Sequence, residues 1–61
     1  MSIRILAREL YHVMKEVERL ENELQGLAPG APKGNELERQ LVAARAEERR
    51  IKAMLEGAKA D

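Results

Sequence analysis

Residues 26–35, GLAPGAPKGN, break a sequence that otherwise favours helix from end to end. Pro29 and Pro32 lack the amide hydrogen that a helix interior requires and bias the residue before each away from the helical conformation, and the glycines permit sharp turns. Because a helix does not continue through such a segment, the chain divides into two helices. A connection of about eight residues is at the long end of the normal range between packed helices, so we expect the two helices to fold back antiparallel.

Apolar residues before this break recur at alternating intervals of three and four. Such a heptad pattern keeps one stripe facing a partner helix in a left-handed supercoil, as in coiled coils. Ser2 has the hydroxyl of a good N-cap, and Gly26 is a common type of helix stop. The sequence therefore predicts a first helix over about residues 3–26 and a loop over about residues 27–34. The stripe consists of Ile3, Leu6, Leu10, Val13, Val17, Leu20, Leu24 and Leu27.

A second heptad stripe follows the break, on a helix predicted over about residues 36–57. Asn35, with Glu38 three residues later, has the pattern of a capping box, and Gly57 is expected to end the helix. Pairing residues whose numbers sum to 61 brings the two stripes together, with Leu6 opposite Leu55 at the open end. The fold class is thus all-α, an antiparallel and coiled-coil-like hairpin. The second stripe consists of Leu37, Leu41, Ala44, Glu48, Ile51, Leu55 and Ala58.

Composition indicates one small domain, residues 1–61, that buries too little surface to be strongly stable alone. The chain has no cysteine for a disulfide and a single histidine, too few for structural zinc, so oligomerisation is the expected source of further stability. Eleven basic residues balance eleven acidic ones, so no net charge attracts nucleic acid or anionic lipid. Charges interrupt the apolar residues near the N-terminus, so we expect no signal peptide, no membrane span and a cytoplasmic protein.

A flank of Ala7, Tyr11 and Met14 widens the first stripe on one side, which a simple pair of helices does not need. Two hairpins packed as a symmetric, dimeric four-helix bundle would cover this flank. The sequence thus predicts a homodimer, with a complex with another helical protein as the alternative, acting as a non-catalytic interaction or scaffold module. The expected interface residues are Ala7, Leu10, Tyr11, Met14 and Val17.

Two rows of charge repeat every seven residues beside the stripes. In an antiparallel hairpin these rows do not face each other. They either pair across the dimer or remain separate solvated edges, in which case each pair is worth about 0–1 kcal/mol. The acidic row is Glu9, Glu16 and Glu23, and the basic row is Arg45, Lys52 and Lys59.

One short pattern suggests a metal site. Glu9 and His12 have the Glu-x-x-His spacing of di-iron and di-manganese helical bundles, and Glu48 lies on the second stripe at almost the same level. A dimer would double this set to the required number of ligands. With the stripe pointing inward, however, Glu9 and His12 both face solvent. We therefore expect ordinary surface residues, no metal and no other cofactor, and we keep a metal–carboxylate site as a second alternative function.

Glu48 interrupts the apolar second stripe and has three interpretations. A lone carboxylate in a dry helix interface costs several kcal/mol or becomes protonated. Glu48 therefore reaches solvent beside Arg45 or Lys52, or is a buried polar residue that fixes register or oligomeric state, or serves as a ligand.

Basic residues on the outer face of the first helix give the first alternative function, nucleic-acid binding with RNA as the target. The candidates are Arg8, Lys15 and Arg19. Glutamates are interleaved with them, and a single tyrosine is the only aromatic residue, so the sequence offers no stacking platform. The chain also has no cysteine, one serine and no phosphate-loop spacing in GAPKGN, so we expect no enzyme.

Overall fold

The computed structural model describes residues 2–59, which form two long helices. Helix α1 spans Ile3–Gln25 and helix α2 spans Lys33–Lys59. They pack along their length as a hairpin with Cα dimensions of 47 × 14 × 13 Å. No strand occurs in the described part of the chain, so the predicted all-α hairpin is confirmed. Neither helix combines the length and the apolar character that crossing a membrane requires, within residues 2–59.

The ends of α1 follow the capping expected from the sequence. Ser2 has an extended backbone, and its Oγ accepts a hydrogen bond from the amide of Ile5 at 3.1 Å. This bond satisfies one of the amides in the first turn that have no partner within the helix. At the other end, the Gly26 amide donates to the carbonyls of Asn22 and Glu23, both at 3.2 Å. Gly26 has φ −82°, so it ends the helix without entering the left-handed region.

The connection turns sharply at Pro29 and Gly30. The carbonyl of Ala28 accepts from the amide of Ala31 at 3.1 Å, and Gly30 has φ +81°. Proline at the second turn position and a positive-φ glycine at the third are the requirements of a type II turn. The proline–glycine pair therefore provides the reversal that the antiparallel hairpin needs.

Helix α2 is longer at both ends than expected. It begins at Lys33, so Asn35 lies inside its first turn and is not the predicted N-cap. The Gly34 amide donates to the carbonyl of Ala31 at 3.0 Å, which winds the chain into helix before Asn35 is reached. The helix also passes through Gly57 to Lys59. Ala58 packs on the core there, and this contact outweighs the low helix propensity of glycine.

The core lies between the helices and has two buried clusters joined at Val13. Each cluster combines residues from the two heptad stripes, in the grouping that an antiparallel register with numbers summing to 61 requires. Glu48 is at the level of Val13, where the apolar stripe of α2 is interrupted. The cluster near the connection contains Val17, Leu20, Leu37 and Leu41, and the cluster near the open end contains Leu6, Ile51 and Leu55.

Candidate interaction surface

One side of α1 keeps an apolar surface that α2 does not cover. Ile3 and Met14 are each 47% exposed, and Tyr11 is 58% exposed. Ala7, between them on the helix, is exposed, and Leu10 is half-buried at the border with the core. At ~100° per residue, Ala7, Tyr11 and Met14 project roughly a quarter of a turn or more to one side of the stripe that faces α2, and Ile3 and Leu10 lie on the edge of the stripe next to them. We call this surface, formed by Ile3, Ala7, Leu10, Tyr11 and Met14, the α1 flank.

The predicted interface residues divide between this flank and the core. Ala7, Tyr11 and Met14 lie together on the exposed surface, with Leu10 beside them. Val17 does not join them, because it is only 9% exposed and packs in the cluster with Leu20 and Leu41. Val17 is therefore a core residue of the single hairpin and is not part of this exposed surface. Its position on the first heptad stripe places it against α2 of the same chain.

Tyr11 has two neighbours on its own helix. The ammonium of Lys15 lies 5.6 Å from the centre of the Tyr11 ring, and the His12 ring meets it edge-on at 5.9 Å. A cation over an exposed ring contributes about 0.5–1 kcal/mol. The ring itself remains 58% exposed and extends the apolar surface of the flank.

The edge of α2 on this side of the hairpin is charged and largely paired within the chain. Arg45 donates to Glu21 of α1 at 2.5 Å, the bridge that links the two helices at this edge. Lys52 pairs with Glu48 at 2.9 Å. This edge of α2 is therefore occupied by charged side chains in ion pairs, and it does not continue the apolar surface of the α1 flank. The pair of Glu21 and Arg45 was not predicted, since neither spacing nor register alone singles it out.

The acidic row of α1 is also engaged locally. Arg19 binds the carboxylates of both Glu16 and Glu23. Its hydrogen bonds hold the pKa of the Glu16 carboxyl below the ordinary value. Arg45 and Lys52 are paired as well, so four of the six residues in the two heptad rows have ion-pair partners inside one hairpin. This favours the alternative of separate solvated edges over pairing across protomers.

Glu48 lies at the border of the core with its carboxylate turned to Lys52. Its side chain is 21% exposed, and no buried polar side-chain atom within residues 2–59 lacks a hydrogen-bond partner. This placement favours the first of the three interpretations. Glu48 belongs to the seam, the line along which the two heptad stripes meet, and reaches solvent beside a lysine. The carboxylate replaces an apolar side chain and leaves the core divided near Val13.

The candidate metal ligands are not brought together in one chain. Glu9 lines a groove with Glu47 and Arg50, whereas Glu48 lies at the border of the seam with Lys52. Within residues 2–59, no group of three or more His, Cys, Asp or Glu side chains is placed to hold a metal ion.

The candidate nucleic-acid residues form a broken basic stripe. Arg8, Lys15 and Arg19 are all exposed on the outer side of α1. Arg19, however, is bound by two carboxylates, and Lys15 lies over the Tyr11 ring. Only part of this charge is therefore available to phosphates, which favours the solvated mixed-charge face over a nucleic-acid site.

The opposite side of the hairpin has a small groove between the helices. Arg50 pairs with Glu47, holding the pKa of that carboxyl below its ordinary value, and donates to the Sδ of Met54 at 3.4 Å. The groove encloses about 80 Å³, against about 300–1,000 Å³ for most small-molecule sites. It is therefore smaller than a usual small-molecule site. Its lining residues are Leu6, Glu9, Glu47, Arg50, Ile51 and Met54.

Comparison of the chain with known protein families, with curated proteins and with solved structures gives no match. Function must therefore be argued from the surfaces of the hairpin. Of the six large apolar side chains that are exposed within residues 2–59, the α1 flank holds three, Ile3, Tyr11 and Met14, on one side of one helix, and the others are Ile5, Val42 and Met54.

Proposed function

We propose that this chain is a non-catalytic interaction module that associates with a second copy of itself through the α1 flank. The observation that carries this proposal is the exposure of Ile3, Tyr11 and Met14 on one side of one helix. Single exposed apolar residues are normal, but a contiguous group on a small protein is typical of a binding surface.

The small size of the buried core supports the same proposal. The buried core consists of the two narrow clusters between the helices. A chain of this size without a disulfide obtains little stability from such a core, and oligomerisation is a common remedy. Covering the flanks of two hairpins buries six more large apolar side chains, three from each copy.

The distribution of charge supports a particular order of helices in the dimer. The α1 flank is apolar, whereas the neighbouring edge of α2 carries Arg45 and Lys52, both in ion pairs. The two α1 helices therefore meet in the middle of a four-helix dimer, and the α2 helices lie outside. Scaffolding or bridging of other molecules would use the outer faces that remain.

Light scattering or sedimentation equilibrium over a concentration series tests self-association. We expect a mass of twice 6.9 kDa at high concentration. Met14→Glu places a charge in the flank and is expected to give monomers. The matched control is Val42→Glu, because Val42 is 67% exposed on the outer side of α2 and its substitution should leave the dimer intact. A wild-type hairpin that stays monomeric at every concentration while melting cooperatively would overturn the proposal.

A further inference from the structure

We infer that the two copies join antiparallel, α1 against α1, about a two-fold axis that passes near Tyr11. This arrangement rests on the proposed self-association and specifies its geometry. The partner is a second copy of this chain, placed so that the connections of the two hairpins lie at opposite ends.

The inference rests on an additional heptad stripe on α1, distinct from the stripe that faces α2. Five exposed residues recur at intervals of three, four, three and four, and at ~100° per residue they lie within an arc of about 80° along the outer side of the flank. This is the spacing of a helix that packs on another helix. The stripe consists of Arg4, Ala7, Tyr11, Met14 and Glu18.

The chemistry of the stripe is complementary to its own reverse. Read from the other end, it places Tyr11 opposite Tyr11, Arg4 opposite Glu18, and Ala7 within one residue, about 1.5 Å along the axis, of the level of Met14. Opposite charges thus meet at both ends, a small side chain meets a large one, and the aromatic ring lies on the axis. An isologous two-fold contact requires this property, because each patch must recognise itself.

The two terminal charges are available for such pairing. Within residues 2–59, neither Arg4 nor Glu18 forms an ion pair, whereas Glu21, the next acid toward the connection, is bound by Arg45. In a parallel dimer Arg4 would face Arg4 and Glu18 would face Glu18. Like charges placed opposite each other oppose association, so charge selects the antiparallel arrangement.

The same property distinguishes a second copy from an unrelated helix. A different partner could match the flank with any sequence of its own, so nothing would require Arg4 and Glu18 to lie at equal distances from Tyr11. In this chain each lies seven residues from Tyr11, two turns away on the same side of the helix. Ala7 leaves room for Met14 of the other copy, which allows the helix axes to approach to about 8–10 Å.

Disulfide trapping tests the orientation directly, because the chain has no cysteine of its own. Ala7→Cys and Met14→Cys are prepared with different tags, mixed in equal amounts and oxidised. We expect the mixed disulfide to dominate, since these positions meet in the antiparallel dimer and a disulfide needs Cα atoms about 4.4–6.8 Å apart. A parallel dimer would instead join Ala7→Cys to itself, and that result would overturn the inference.

Charge reversal gives an independent test. Arg4→Glu and Glu18→Arg should each weaken their own homodimer, with a rise in dissociation constant on the order of tenfold, because two attractive pairs become repulsive. An equimolar mixture should recover wild-type affinity, since both pairs are then attractive. In a parallel dimer Arg4→Glu exchanges one like-charge pair for another and leaves its homodimer unchanged. Arg39→Glu, on the outer side of α2, is the matched control.

These experiments separate the inference from the proposed function. A wild-type chain that is monomeric at all concentrations refutes both. A dimer that Met14→Glu dissociates, but in which Ala7→Cys links only to itself, keeps the proposed function and refutes the antiparallel arrangement. A dimer that forms neither disulfide, and that Met14→Glu leaves intact, removes the α1 flank from the interface altogether.

Discussion

Replacing Glu48 with leucine should stabilise the hairpin. Glu48 occupies a seam position at the level of Val13, where the two buried clusters meet. Its side chain is 21% exposed and its carboxylate pairs with Lys52, which is 54% exposed. An apolar side chain of similar length would fill the same space and join the two clusters into one continuous core.

The magnitude follows from three terms. Burying a leucine side chain contributes about 1.5–3 kcal/mol, reduced here by the remaining exposure of the site. The lost ion pair subtracts at most about 1 kcal/mol, because its lysine partner is open to solvent. Glutamate and leucine have similar helix propensities, so the backbone term is small. The net gain is about 1–2 kcal/mol, which corresponds to a rise in Tm of about 5–15 °C for a domain of this size.

Thermal and urea unfolding followed by circular dichroism, at one fixed protein concentration, measure this gain. Lys52→Ala is the matched control, since it removes the ion pair without filling the seam and should change the free energy of unfolding by no more than about 1 kcal/mol. A loss of stability in Glu48→Leu, or a changed molecular mass, would refute the reasoning. Either result would mean that the carboxylate fixes register or oligomeric state.

Two pairs of substitutions and a change of pH test local contributions to stability. Gly57→Ala should stabilise by about 1 kcal/mol, because Gly57 is helical and an added Cβ would meet no heavy atom of residues 2–59 within 4 Å apart from its chain neighbours and its own helix backbone. Gly30→Ala should destabilise because of its φ of +81°. Ser2→Ala should cost about 0.5–2 kcal/mol, while Asn35→Ala, inside α2, should be neutral or slightly stabilising; equal losses in urea unfolding would contradict these capping assignments. Lowering the pH should destabilise the hairpin, because the arginine partner of Glu16 depresses the pKa of its carboxyl. The stability that Glu16 contributes above the ordinary carboxyl pKa is lost as pH falls through the depressed value. A Tm that stays level from about pH 6 to about pH 2 would contradict this expectation.

The fold was predictable from the sequence because one strong signal decides it. Alternating spacings of three and four give the apolar stripe on each helix. The proline–glycine segment between them is short, so the chain reverses there and the two helices pack antiparallel. The register followed from matching the two stripes. Helix starts were less predictable: Asn35 has good capping chemistry, but the turn from Ala31 to Gly34 begins α2 earlier. Local hydrogen bonds of this kind depend on backbone geometry that residue types alone do not determine.

The candidate surface was predictable in part. The flank of Ala7, Tyr11 and Met14 could be found because it lies to one side of a stripe already assigned to α2. Partners of individual charges could not be found, because a glutamate on a helix has several basic residues within reach of a flexible side chain. Glu21 pairs with Arg45 across the hairpin, and Arg19 pairs with two carboxylates of its own helix.

The bridge between Glu21 and Arg45 also bears on how far two hairpins would overlap in the proposed dimer. Because Glu21 is already paired within its own chain, the proposed contact runs along α1 from Ile3 to Glu18. Its midpoint, Tyr11, lies only a few residues from the middle of α1, so two antiparallel copies would be offset by about two turns of helix. The proposed dimer would therefore be only slightly longer than a single hairpin of 47 Å, but about twice as wide. Its connections would project at opposite ends, and both α2 helices would keep their outer faces uncovered.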